Sequence, residues 1–396
     1  MPKKLWLLLI GMVINVTGSS FLWPLNAIYI HDVLGKSLTM AGIVLMLNSA
    51  SGVVGNLIGG YLFDKFGGYR SILIGVSTTM IAGIGLVWNH DWPFYVIFLI
   101  LLGFGSGLVF PSMYAMAGSV WPEGGRKPFN AMYVAQNIGV AAGAALGGFV
   151  AAYSFPLTFL ANALMSAGFF VLALLTYQKI HGDRMQQSSI LEQPKTIKNK
   201  TKYTALLVLC SGYMLCWMAY VQWQSNIAAH TQSLNISLNE YSMLWAINGA
   251  LIVLAQPLVS TIVRFVAKTV KTQIIVGLLI FIVSFFVVSN ATQFTGFCVA
   301  MIILTIGEMF VWPAVPTIAN ELAPKGREGF YQGVVNSAAT GGRMLGPVVG
   351  GIMVDVYNIQ ALFALLVGLL VISIFTTMFY DRGLKKEKEQ STALAV

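Results

Sequence analysis

Gly60-Tyr61-Leu62-Phe63-Asp64-Lys65-Phe66-Gly67, followed by Gly68, Tyr69 and Arg70, places one acid and two bases in a short gap between two apolar runs, 39–63 and 71–88. Each run approaches the ~20 apolar residues that an α-helix needs to cross a bilayer. A charged break between two such runs reads as a loop at a membrane surface, and the same alternation continues along the chain in both directions. Of 396 residues, 57% are apolar and only 9% charged, with a mean hydropathy of +0.76. Soluble domains carry roughly 25% charged residues, so the solvent around these runs must be lipid. The net charge of +9 comes from Lys and Arg clustered between the apolar runs, not spread along one face. That pattern marks membrane topology and implies no nucleic-acid partner. Cys210, Cys216 and Cys298 all fall inside apolar segments, so no disulfide framework is expected.

Twelve stretches are long enough to span: near 5–30, 39–63, 71–88, 93–118, 129–151, 156–178, 203–229, 240–263, 273–289, 296–319, 330–354 and 361–380. Lys3 and Lys4 precede the first with no small-residue cleavage site after it, so it is expected as a spanning helix and not a removed signal. With both termini inside, all of the 23 Lys and Arg except Lys36 and Arg343 fall on the inner side, which fixes the orientation by the positive-inside bias. A basic polar stretch, 179–202, divides the spans six and six. It predicts an N-terminal six-helix bundle over 1–178, a cytoplasmic linker over 179–202, a second bundle over 203–380 and a cytoplasmic tail over 381–396. The halves repeat: at an offset of 202, Gly105, Pro111, Ala117, Pro122 and Gly124 meet Gly307, Pro313, Ala319, Pro324 and Gly326. The expected fold is therefore an all-α integral membrane protein with twelve transmembrane helices in two pseudo-symmetric six-helix bundles, the sequence mark of a two-halved transporter.

The stretch from Gly60 to Arg70 resembles the loop signature between the second and third helices of the major facilitator superfamily, G-x-L-x-D-R-x-G-R-R. The glycines Gly60 and Gly67, Leu62 and Asp64 match; Lys65 stands for the first Arg, and Gly68 and Tyr69 depart from it, with Arg70 one step late. The physical logic is that a carboxylate at the membrane surface can meet the positive end of a helix starting from the same face, here the eleventh, near Phe330. Gly60, Asp64, Lys65, Gly67 and Arg70 are thus expected to form an inner gate.

Gly139, Gly143, Gly147 and Gly148 in the fifth helix, and Gly342, Gly346, Pro347, Gly350 and Gly351 in the eleventh, have spacings that let helices approach backbone to backbone. A G-x-x-x-G-P-x-x-G-G run in the fifth helix resembles the signature of drug:proton antiporters within the superfamily. Here Ala144 takes the place of the Pro, and the intact run stands in the eleventh helix. Many proton-coupled members carry an Arg in the fourth helix where Leu99 stands here, so a proton would need another carrier.

Glu308 is the one acid within an expected span away from its ends, and an acid there is costly unless protonated, paired or hydrated. It is the candidate proton-coupling group. Arg343, at similar depth in the eleventh helix, is its candidate ion-pair partner, so two readings stand: a structural pair, or a proton carrier. Tyr213, Trp217, Tyr220 and Gln224 recur at i, i+4, i+7 and i+11, and Thr305, Glu308 and Trp312 share a face of the tenth helix. With Asn26, Phe110 and Tyr114 they are expected to line a substrate cavity, against the alternative that each aromatic faces lipid. Aromatic walls and Met suit large apolar or cationic solutes. No cofactor, metal site or enzymatic constellation is expected. The expected activity is proton-coupled efflux of hydrophobic or cationic drug-like compounds from a bacterial inner membrane, by a monomer in the bilayer whose partners are a small-molecule substrate and protons. Transport of a metabolite or lipid is the alternative, and a non-transporting sensor a more distant one.

Overall fold

The computed structural model describes residues 1–23, 25–180 and 200–393, and every regular element among them is helical. Most of the expected linker, 181–199, lies outside the described residues, as do the last three residues of the tail. The principal helices are α1 Lys3–Ser20, α2 Leu38–Phe66, α3 Gly68–Trp88, α4 Phe94–Val120, α5 Lys127–Tyr153, α6 Phe155–Ile180, α7 Lys200–Tyr220, α8 Leu238–Val266, α9 Val270–Ser289, α10 Phe294–Val311, α11 Glu328–Val356, α12 Ile359–Phe379 and, in the tail, α13 Arg382–Ala393. Among the described residues, nine helices are long and apolar enough to cross a membrane. Two expected spans are more polar than these: α1 opens on Lys3-Lys4, and α11 carries Arg343 and Asp355.

The chain divides into two compact units, residues 1–193 with 325–337 and residues 194–324 with 338–396. Within the first unit α2 packs on α4, α3 on α4 and α6, and α1 on α6. Within the second the same scheme recurs, with α8 on α10, α9 on α10 and α12, and α7 on α12. Ser37 and Ser237 cap the equivalent helices α2 and α8, each hydroxyl accepting a first-turn N–H. Large apolar side chains such as Phe149, Leu175, Leu254 and Phe286 stand exposed on the outside, which fits a surface solvated by lipid.

Three expected spans are interrupted. The first is α1 followed by a turn and the short helix Asn26–Ile28. The seventh is α7, a tight 3₁₀ turn Val221–Gln224 and the short helix Asn226–Ser233. There the Gln222 amide donates to the Met218 carbonyl at 3.0 Å and to the Gly346 carbonyl at 2.7 Å, side-chain bonds of the kind that compete with helix continuation. The tenth is α10 and the helix Ala314–Leu322. Its counterpart α4 runs through Pro111 unbroken, whereas Pro313 and Pro316 remove two backbone donors within one turn of the tenth.

The glycines of α5 divide by environment. A Cβ on Gly143 would collide with the Thr17 carbonyl, one on Gly139 would lie 2.8 Å from Val16 Cβ and one on Gly147 3.1 Å from Phe21 Cα, all on α1 or just past its end, whereas no described residue lies within 4 Å at Gly148. In α11, Gly342, Gly346 and Gly350 meet α7 and the turn after it at Met214, Met218 and Gln222. Gly143→Leu should therefore lower stability by roughly 1–3 kcal/mol through overpacking, while Gly148→Leu leaves it nearly unchanged. Melting of the two purified variants reads this directly; equal melting temperatures would contradict the packing role.

Candidate functional site

Asp64 sits in the last turn of α2 and bonds to the start of α11 with both oxygens: Oδ1 accepts the Gly329 N–H at 2.7 Å and Oδ2 the Phe330 N–H at 2.9 Å. These are first-turn amides with no partner inside their own helix, at its positive end. The approach depends on glycine on both sides. A Cβ on Gly60 would fall on the Gly329 carbonyl and one on Gly329 on the Gly60 carbonyl, while Gly333 lies against the Asn56 carbonyl. Gly67, at φ +83°, ends α2 in a conformation that favours glycine. Lys65 lies over the Tyr61 and Phe66 rings at 5.6 and 5.1 Å, and Arg70 is exposed in the first turn of α3. Beyond the span, burial pushes the Glu328 carboxyl up, against backbone N–H bonds at Gly326, Arg327 and Glu328 that act the other way. Gly329 and Gly333 were not singled out by sequence, although their four-residue spacing is the same close-approach signal read elsewhere.

In the second unit the aromatic residues of α7 gather around Trp312, the residue that caps the C-terminus of α10. Trp312 stacks on Trp217 with centroids 4.4 Å apart and planes 9° from parallel. Tyr213 and Tyr220 meet it edge-on at 5.6 and 5.4 Å, and Phe281 of α9 closes another side at 5.5 Å. One turn before Trp312, Glu308 is 2% exposed. Its carboxylate accepts from the Asn248 amide of α8 at 2.7 Å, and the Tyr220 hydroxyl is a second hydrogen-bond partner. Asn248 also donates to the Thr305 hydroxyl at 2.9 Å, and Thr305 donates to the Met301 carbonyl at 2.7 Å. The acid is thus held in a small polar network beside an aromatic cluster. Asn248 is the member that sequence reasoning missed, since one Asn in a long apolar run has no periodic partner to mark it.

Two expected placements change. Gln224 lies in the 3₁₀ turn beyond α7, where three residues per turn replace 3.6, so its i+11 relation to Tyr213 lapses. Arg343 does not pair with Glu308: its guanidinium lies over the Trp217 ring at 4.8 Å and donates to Thr340 Oγ1 at 3.2 Å. Depth alone suggested the pair, and depth says nothing of which way each side chain points.

The remaining expected cavity residues belong to the first unit and do not form one group. Asn26 is buried and accepts the Tyr95 hydroxyl at 2.8 Å. Tyr114 donates to Gln136 Oε1 at 3.1 Å and stacks with Phe129 at 6.4 Å, and Phe110 packs half-buried against the same core. Among the described residues no cluster of three or more His, Cys, Asp or Glu could hold a metal ion.

The sequence model of the Major Facilitator Superfamily matches residues 8–338 and 209–395. Over 396 residues, covering the whole of both chains, the protein is 58% identical to the uncharacterized MFS-type transporter YttB of Bacillus subtilis (strain 168). It is 22% identical over 398 residues to the quinolone resistance protein NorA of Staphylococcus aureus (strain MSSA476), covering 99% of this chain and 100% of that protein. The crystal structure of the human organic anion transporter MFSD10 superposes with a TM-score of 0.74 at 13% identity, over 95% of this chain and 100% of that one. The chain belongs to the major facilitator superfamily and is a multi-pass membrane transporter.

Proposed function

We propose that this transporter exports hydrophobic aromatic compounds in exchange for protons, by alternating access, with Glu308 as the proton-handling group. The observation that carries the reading is the adjacency of a buried acid and an aromatic cluster: Glu308 touches Tyr220, and Tyr220 meets Trp312. A carboxylate so enclosed gains by taking up a proton, and Tyr220 couples that event to the rings a flat solute would stack against. Similarity to a protein named for quinolone resistance supports the efflux direction. The preference for cationic solutes expected from sequence is not carried forward, because a cation of the protein itself, Arg343, already lies on the Trp217 face. Inside termini and a bacterial inner membrane remain part of the proposal, resting on the distribution of Lys and Arg.

Binding should displace the proton. Addition of an aromatic substrate to purified protein in weakly buffered detergent solution should release protons, and the Glu308→Gln variant should bind without releasing them. Release that persists in the variant would assign the proton to another group.

A further inference from the structure

Arg343 is a charge in the middle of α11, and its place on that helix is informative. Leu345, Val348, Ile352 and Val356 are the exposed apolar residues of α11, and at about 100° per residue they cluster on one side. Arg343 stands roughly 180° around from them, next to the Gly342, Gly346 and Gly350 edge that packs on α7. Arg343 is exposed on that side of the helix, away from the apolar edge. A guanidinium has five N–H donors, and here one nitrogen bonds to Thr340 while the plane rests on Trp217. The Glu308 carboxylate accepts from the Asn248 amide instead. Contact with an indole face recovers only part of what a charge loses on leaving bulk water inside a span. Beside it, the Trp217 Nε1–H is a buried donor with no hydrogen-bond partner among the described residues.

We propose that Arg343 is the anion anchor of the aromatic cluster, so that the transporter's substrates are aromatic compounds carrying a carboxylate: the carboxylate draws the guanidinium off Trp217 in a two-pronged contact and the substrate's ring takes its place on the indole. This rests on reading the cluster around Trp312 as the substrate site. A planar guanidinium matches a carboxylate with two parallel hydrogen bonds, and the free indole N–H supplies a further donor.

The test uses three probes of one shape, 2-naphthoate, 2-naphthamide and 2-naphthylmethylammonium, titrated calorimetrically into the purified full-length protein in nanodiscs. Wild type should bind the carboxylate on the order of tenfold or more tighter than the amide, with the ammonium weakest. Arg343→Gln should remove that preference by weakening the carboxylate alone. Arg343→Lys should keep part of it, because the charge stays while the planar fork is lost. Trp217→Ala should weaken all three together. Equal binding of carboxylate and amide, tightest binding of the ammonium, a preference that survives Arg343→Gln, or no binding of any probe would overturn the proposal. Because these titrations need no pH gradient, they separate the two readings: a carboxylate preference without proton coupling leaves the anchor standing, and coupled transport without that preference does the reverse.

Discussion

Glu308→Gln is expected to abolish transport driven by a pH gradient while leaving the fold and the binding of neutral aromatic compounds intact. The substitution is isosteric. The amide oxygen can still accept from Asn248, 2.7 Å from the present carboxylate, and the Tyr220 hydroxyl can still donate to it, so the buried polar network keeps its partners. What disappears is the ability to exchange a proton. Transport that couples to a gradient only through this group should fall by roughly 10²-fold or more, in line with the loss of a positioned acid–base group, and melting of the variant should stay close to wild type. If the acid served to neutralise Arg343, the variant would instead lose stability and regain it on neutralising Arg343. The placement of Arg343 on Trp217 and Thr340 predicts no such rescue. Gradient-driven transport at the wild-type rate, or folding that depends on a second change at Arg343, would show that the acid is misassigned.

Asp64→Asn should weaken the tie between α2 and the first turn of α11. Asn offers one acceptor where the carboxylate offers two, and it carries no charge for the positive end of the helix. A hydrogen bond to a charged group contributes about 1.5–3 kcal/mol against about 0.5–1.5 for a neutral one, and a carboxylate at a helix N-terminus adds roughly 0.3–1 kcal/mol. Losing one bond and the charge should therefore cost about 1–3 kcal/mol, roughly a five- to 150-fold shift in any equilibrium this contact holds. Amides of residues 325–337 should exchange hydrogen faster in the variant, and transport at matched protein levels should fall severalfold. Unchanged exchange together with unchanged transport would leave Asp64 with no role in gating.

The contact of Asp64 with the start of α11 was largely legible in sequence because its chemistry is local and its residue types are rare in such places. An acid bracketed by Gly60 and Gly67 between two apolar runs has few reasons to exist, and the helix that it meets begins where the polar break before Phe330 predicts. The glycine crossings were legible for the same reason, since a four-residue spacing maps directly onto one helix face. Side-chain direction was not. Glu308 stood out as an acid in a span, yet its partners Asn248 and Tyr220 come from two other helices, and sequence spacing carries no information about which helices adjoin. For Arg343 the sequence left two readings open, and its guanidinium lies on Trp217 and Thr340. The breaks after Ser20 and Tyr220 were hidden because an apolar run reads the same through a tight turn as through a helix. The break in the tenth span had a signal that was not used, the second proline at 316 that the fourth span lacks.

The central claim, export in exchange for protons, is tested most directly by the purified protein in proteoliposomes with an imposed pH gradient and an aromatic substrate initially equal on both sides. The account predicts that substrate accumulates on the acidic side against its own gradient, and that accumulation collapses when an ionophore equalises the pH. Equal substrate on both sides with and without the gradient, or accumulation on the alkaline side, would contradict it.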